Sequence, residues 1–307
     1  MPNKTKPLFT SIVISLALLF CPPALLAEIT ITAIDVGQGD AVLVQHQAYR
    51  VLIDGGGQPN TVADYLSDRG ISHLNLVIAT HGHADHVRGL VDVLNRQSVD
   101  TVLYNGQTHT TLTFENFIDA IAASGADYQE PGRGDSLFYG DMEIQILHPE
   151  GSAKDYEGHL HDKNIVVRIV YGDFAAIISG DIEREGELKI LDSGLDVSAQ
   201  VLELGYHGSR TSAHPDWVAA VNPEFAFWQA GEDNSYGYPH QETLDTLESL
   251  GIDVIGTSTH GTITIAASRN GAFSVVTSEP VEEPDSSTSA TATITCFITA
   301  CKIRSFK

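Results

Sequence analysis

The stretch Thr80-His81-Gly82-His83-Ala84-Asp85-His86 gathers three imidazoles and a carboxylate into one short segment. These are the side chains that suit Zn2+ and similar borderline cations. In an irregular segment alternate residues can turn to one side, so His81 and His83 can share one cation. Asp85 and His86 then fall at the start of the next helix and can face a second. Such a set is costly to hold without cations, because closely spaced imidazoles compete for protons.

Working outward, Leu74–Ala79 is a short apolar run that reads as a buried strand, and Val87–Arg96 reads as a helix. Other candidate ligands also stand where strands are predicted to end. Asp181 follows Ile177-Ile178-Ser179-Gly180, a place from which a carboxylate can bridge two cations. Taken alone, it also fits a helix cap ahead of Ile182-Glu183. His207 follows the predicted strand Gln200–Leu204 and precedes Gly208-Ser209, which suits a ligand of the second cation. The loop before Ile165 carries His159, His161 and Asp162, any of which can complete the first cation's shell. Two cations about 3.5–4 Å apart hold a shared water and lower its pKa toward neutrality, so that it can attack phosphorus or a carbonyl carbon. Asp85 can orient that water or take its proton. Ser209, Thr211, Tyr236 and His240 lie in loops that reach the same rim, although His240 also neighbours the start of a helix at Gln241.

The remaining pattern supplies a scaffold. Ile29–Ile34, Ala41–Val44 and Tyr49–Ile53 read as strands, closed by the loop Asp54-Gly55-Gly56-Gly57. Helices are predicted over 60–69 and Thr113–Ser124, with a strand at Thr101–Tyr104 between them. The second half repeats this order. Strands at Met142–Leu147, Ile165–Val170 and Phe174–Ser179 come first, with a hairpin turn at Gly172-Asp173. Helices at Glu183–Leu191, Pro215–Val221 and Gln241–Leu250 then alternate with strands at Gln200–Leu204, Phe225–Gln229, Asp253–Thr257, Thr262–Ala266 and Phe273–Val276. Two such halves can stack their sheets face to face with helices outside, an α/β four-layer αββα sandwich.

The chain has 307 residues, 42% of them hydrophobic, which is enough for a sizeable core. Its formal charge is −23, from 17 basic and 40 acidic residues. A surface of that sign repels polyanions at long range and excludes tight nonspecific binding of nucleic acid by counterion release. It leaves room for a nucleic acid held locally, as substrate, by cations. Lys4 and Lys6 precede the apolar Leu8–Phe20, and Ala27 stands before Glu28, so residues 1–27 read as a secretory signal peptide. The expected product is secreted or periplasmic, with no stable membrane insertion after cleavage; an uncleaved anchor is the alternative. Phe20 is too bulky to make Cys21 a lipidation site. Residues 28–277 are the expected hydrolase domain, and 278–307 an acidic, linker-like tail. There Cys296 and Cys301 could form a disulfide or remain free thiols.

His81-Gly82-His83-Ala84-Asp85-His86 resembles the HxHxDH signature of the metallo-β-lactamase superfamily. Four further segments are similar, in the same order, to the hydrolase-like domain of the DNA-uptake competence family ComEC. They are Asp35-Val36-Gly37-Gln38-Gly39-Asp40, Ser179-Gly180-Asp181, His207-Gly208-Ser209 with Thr211-Ser212, and Tyr236-Gly237-Tyr238-Pro239-His240. The resemblance implies an αββα fold and a centre of two divalent metal ions, Zn2+ or Mn2+. It carries over His81, His83, Asp85, His86 and Asp181 by motif, and places His161 best as the remaining ligand of the first ion, with His159 and Asp162 as alternatives. His207 carries over beside a departure, since that branch has two consecutive histidines and Tyr206 takes the first place here. A tyrosine can hydrogen-bond a phosphate but brings no full positive charge. The competence relatives also join this domain to a many-pass channel, so a DNA-uptake role is not expected to transfer with the fold.

The expected activity is that of an exported metal-dependent hydrolase, a phosphodiesterase or nuclease-like enzyme using a metal-bridging hydroxide. Asp85, His240 and Tyr206 are the expected catalytic residues. His81, His83, Asp85, His86, His161, Asp181 and His207 are the expected ligands. Hydrolysis of a lactam, lactone or thioester is the second reading, and a surface binding protein that keeps the fold without turnover is the third.

Overall fold

Val42, Leu43 and Val44 are all buried, as are Val51, Leu52, Ile53 and every residue from Leu76 to Ala79. A strand that is apolar on both faces needs cover on both sides, and the computed structural model supplies it as stacked layers. The structure describes residues 28–279 together with Arg304–Ser305. The leader reading of 1–27 and the Cys296 and Cys301 pair lie outside the described residues.

The first half contains β1 (Ile29–Ala33), β2 (Val42–His46), β3 (Tyr49–Ile53), α1 (Thr61–Asp68), β4 (His73–Ala79), α2 (Ala84–Arg96), β5 (Ser98–Tyr104), α3 (Leu112–Ser124) and β6 (Asp127–Gln129). The second contains β7 (Ser136–Tyr139), β8 (Met142–His148), β9 (Val166–Tyr171), β10 (Phe174–Ile178), α4 (Arg184–Asp192), β11 (Val201–Glu203), α5 (Pro215–Val221), β12 (Phe225–Trp228), α6 (Gln241–Ser249) and β13 (Asp253–Gly256). The chain continues through α7 (Thr257–His260), β14 (Ile263–Ala267), β15 (Phe273–Thr277) and the two-residue β16 (Arg304–Ser305).

One sheet runs β16-β15-β14-β1-β2-β3-β4-β5-β6 and the other β13-β12-β11-β10-β9-β8-β7. Three apolar clusters fill the three interfaces. Ile31, Val44, Ile53, Ile78, Val167, Ile178 and Phe227 belong to the one between the sheets. Leu43, Leu52 and Val77 turn the other way, toward α1, α2 and α3, while Ile177 and Leu202 pack with Trp217 of α5 and Leu247 of α6. This is the αββα sandwich expected from the strand and helix order. The Gly172-Asp173 turn closes a hairpin in which Tyr171 pairs with Phe174. β6 and β7 were not legible: β6 is exposed throughout, and β7 is only four residues long, with Leu137 and Tyr139 half-buried against the core.

α2 starts three residues earlier than its apolar pattern, because His83 adopts the extended conformation of a cap (φ −71, ψ 151) and Ala84 begins the helix. Asp85 and His86 therefore sit in its first turn. The backbone of α2 lies directly on the loop after β3, with Gly55 N–H donating to His86 O at 2.8 Å and Gly89 N–H to Gly56 O at 3.0 Å. A Cβ on Gly89 would stand 1.9 Å from Gly55 O. Replacing a mid-helix glycine by alanine ordinarily gains about 0.8–1 kcal/mol. Gly89→Ala should instead destabilise by about 1–3 kcal/mol, as overpacking does, measured by urea unfolding; an unchanged or raised midpoint would contradict the close approach.

Candidate metal centre

The described ligand candidates converge where strands end. His81 lies two residues beyond β4, Asp181 follows β10, and His207 follows β11, which is parallel to β10. Ligand sites in open α/β sheets form in such crevices, outside the carboxyl ends of the strands. His207 is presented by a left-handed turn in which Tyr206, His207 and Gly208 have φ of 50, 55 and 81°. Two successive non-glycine residues in that region cost of order 1–3 kcal/mol each, and the packing around the turn over-determines it.

Two groups result, sharing one carboxylate. In the first, His83 Nδ1 lies 2.9 Å from His81 Nε2 and 3.1 Å from His161 Nε2. Asp181 Oδ2 is 3.5 Å from His81 Nε2 and 3.2 Å from His161 Nε2. In the second, Asp181 Oδ1 is 3.3 Å from His86 Nε2 and 3.5 Å from His207 Nε2. Asp85 Oδ2 is 3.3 Å from the same His207 nitrogen.

The outer partners fix the ring nitrogens. Thr80 Oγ1 donates to Asp54 Oδ2 at 2.6 Å, so its oxygen is left to accept from His81 Nδ1 at 3.1 Å. His86 Nδ1 faces the same Asp54 oxygen at 2.8 Å. His207 Nδ1 faces Gln229 O at 2.9 Å and Asp40 Oδ1 at 3.1 Å, and His161 Nδ1 faces Glu183 Oε1 at 2.9 Å. Each of these four histidines thus donates outward through Nδ1 and turns Nε2 inward, the arrangement by which carboxylates and carbonyls orient histidine for a cation. The buried Nε2 of His86, Nε2 of His207 and Oδ1 of Asp181 have no hydrogen-bond partner. Buried polar atoms are normally paired, and a divalent cation satisfies all three at once. The donor set of imidazole and carboxylate fits such a cation.

Electrostatics agree with that fit. Burial drops His81 well below the ordinary histidine value, and burial with the neighbouring His161 drops His83 to about 4. For His86 and His207 burial is outweighed by Asp181, aided by Asp54 and Asp40 respectively, and both are raised well above the ordinary value. His161 is raised too, its burial outweighed by bonds to Asp181 and Glu183. Burial would raise Asp181, but the charges of His207 and His86 hold it well below the carboxylate range. Asp85 follows the same pattern, its burial outweighed by His207 and His86.

His161, and not His159 or Asp162, completes the first group. His159 is exposed, while Asp162 accepts from Tyr156 Oη at 2.7 Å. Tyr206 packs its ring on His161 at 4.3 Å. His240 stays outside both groups, with Nδ1 accepting from Arg210 N–H at 3.1 Å and its ring edge-on to Tyr238. Asp40, Asp54, Glu183 and Gln229 were not singled out as partners by sequence. Asp54 offered one signal, a carboxylate at a strand end followed by three glycines.

His86 and His207 stand well above the ordinary histidine value, so a cation must displace their protons and its affinity falls as pH falls. Uptake of Zn2+ at pH 7 should release protons, seen as a dependence of the calorimetric heat on buffer ionisation enthalpy; no such dependence would contradict the geometry. Asp54→Ala should weaken cation binding about 10–100-fold, the usual cost of losing an outer partner, by competition with a chromophoric chelator.

Residues 34–260 match the model of the metallo-beta-lactamase superfamily. ComE operon protein 3 of Bacillus subtilis (strain 168) is 31% identical over 279 residues, covering 84% of this chain and 36% of that protein. Competence protein ComA of Neisseria gonorrhoeae is 27% identical over 253 residues, covering 80% of this chain and 33% of that one. The chain therefore spans about a third of the length of these curated relatives. Among solved structures, Tm1679, a metal-dependent hydrolase of the beta-lactamase superfamily, shares the fold with a TM-score of 0.52 at 13% identity, over 78% of this chain and 99% of that one. The match runs through both sheets and takes in β4, β10 and β11, whose ends carry the imidazole and carboxylate groups, and the chain belongs to the metallo-beta-lactamase superfamily.

Proposed function

We propose that the protein is a two-cation phosphodiesterase acting outside the cytoplasm. The observation that carries this reading is the division of Asp181, with Oδ2 among His81 and His161 and Oδ1 between His86 and His207. His81, His83, His161 and Asp181 would hold one divalent cation, and Asp85, His86, His207 and the same Asp181 a second, Zn2+ or Mn2+. When bound, such a pair supplies Lewis acidity to a phosphoryl group and an acidified water.

The chain's own residues frame that chemistry. Asp85 is only half-buried and its depressed pKa keeps it ionised, so it serves as a ligand and hydrogen-bond acceptor for water more readily than as a proton store. Burial raises the Tyr238 hydroxyl above the usual phenol range, so it remains a donor at neutral pH, and the Tyr206 and Tyr238 rings lie 5.4 Å apart. Both face an anionic substrate without adding charge. Beside His83 opens a cleft of about 570 Å3, lined in part by His109, Lys154, Tyr156 and His159, a size that suits a drug-sized or nucleotide-sized ligand. One of the relatives is named a competence protein, which supports a nucleic acid as the phosphodiester. Export rests on the basic and apolar pattern of residues 1–27.

Protein loaded with Zn2+ or Mn2+ should contain two cations per chain, hydrolyse bis(4-nitrophenyl) phosphate and leave nitrocefin intact. His86→Ala and Asp85→Ala should each lower kcat/KM by more than the roughly 100-fold expected for an outer partner, with the far-ultraviolet circular dichroism unchanged. Turnover of nitrocefin in place of the phosphodiester would move the protein to lactam chemistry. Retention of full activity by either variant would remove the second cation from the mechanism.

A further inference from the structure

Tyr236 is 61% exposed, and it does not stand alone. Its ring lies 5.4 Å from that of Tyr238 at an interplanar angle of 14°. Tyr238 in turn lies 5.6 Å from the His207 ring and 5.4 Å from Tyr206, which packs on His161. A line of rings therefore runs from solvent to both groups of the candidate centre, and the two steps place Tyr236 no more than about 11 Å from the His207 ring.

The loop that presents these rings is pinned. Asn234 Nδ2 donates to Gly231 O and Tyr238 O, both at 2.8 Å, and its Oδ1 accepts from Tyr238 N–H at 2.9 Å. His240 N–H donates to Gly208 O at 3.0 Å, tying the loop to the turn that carries His207. A tyrosine held this way presents a rigid flat surface at little entropic cost on binding. Glu232 and Asp233 are exposed in the same loop, and the whole chain carries −23. A surface of that sign does not attract a phosphate backbone, so affinity for a strand must come from uncharged contact, and a planar ring offers it to a base.

We propose that Tyr236 and Tyr238 form a base-stacking shelf that holds a nucleobase of a single strand beside the scissile phosphodiester. This rests on the phosphodiesterase reading and adds the part of the substrate that the enzyme grips. Recognition is through the π-face of the base, which makes it tolerant of sequence and only weakly sensitive to salt.

Binding is tested with strands whose methylphosphonate backbone is uncharged and uncleavable, comparing a dye-labelled thymidine hexamer with its abasic counterpart by fluorescence anisotropy on the full chain. The thymidine strand should bind about tenfold tighter, at 50 and at 300 mM salt alike. Tyr236→Ala should erase that preference without changing binding of the abasic strand, and Tyr236→Phe should keep it. Equal affinity for the two strands, absence of binding to either, or equal weakening of both by Tyr236→Ala overturns the shelf. Hydrolysis of ordinary phosphodiester strands separates the two ideas. A base preference in binding with no cleavage of any strand would leave the shelf standing and remove the phosphodiesterase reading. Cleavage of base-bearing and abasic strands with equal kcat/KM, and no preference in binding, would do the reverse.

Discussion

Asp181 is 1% exposed, and its two carboxylate oxygens look in different directions, each toward two imidazole nitrogens at 3.2–3.5 Å. Desolvating an anion to this depth costs several kcal/mol unless compensating charge surrounds it. The compensation comes from His86, His207 and His161, drawn from the helix after β4, the end of β11 and a short turn at Leu160–Lys163. Their approach is fixed by main-chain bonds as much as by the rings: Asp181 N–H is held by Asn164 Oδ1 at 3.0 Å, and Asn164 Nδ2 reaches Ser179 O at 2.7 Å. Much of the upper face of both sheets is arranged so that this one carboxylate can be buried.

The support extends to a second buried carboxylate. Glu203 accepts from Ser179 N–H at 2.9 Å and from Gln229 Nε2 at 2.7 Å. Gln229 Oε1 accepts from Ala41 N–H and its carbonyl faces His207. Burial, with Asp40 nearby, pushes Glu203 up to about 8. One group thus links the loop of Asp181, the orientation of His207 and the segment bearing Asp40. Networks of this kind gain rigidity when fully satisfied and lose heavily when one member is removed, which suits a centre that must hold two sets of ligands in register.

Charge divides the molecule's tasks. The acidic surface favours solubility and repels polyanions at a distance. Within the crevice, converging imidazoles, the tyrosine hydroxyls and two cations would reverse that balance locally. Tyr206, standing beside His207, packs its ring on His161 and brings no full charge to that crevice.

Segments whose chemistry is local could be read from sequence. His81, His83, Asp85 and His86 lie on one short stretch, and the 2-fold and 3.6-fold apolar periods of the strands and helices were visible around it. The sandwich followed from their order, because strands apolar on both faces require two covering layers. The edge strands β6 and β7 were lost for the opposite reason, being only three and four residues long, too short to leave a period. What sequence could not decide was which groups meet across long separations. His161 joins His83 at a separation of 78 residues, His207 reaches Asp40 at 167, and Ala41 reaches Gln229 at 188. Resemblance favoured His161 over His159 and Asp162 by position; the turn before β9 buries His161 against His83 and leaves His159 exposed. The sequence by itself determined the kind of centre, since ligand chemistry belongs to side chains. The tertiary structure decided its membership and its tautomers, since those depend on where the strand ends of two stacked sheets come to face each other.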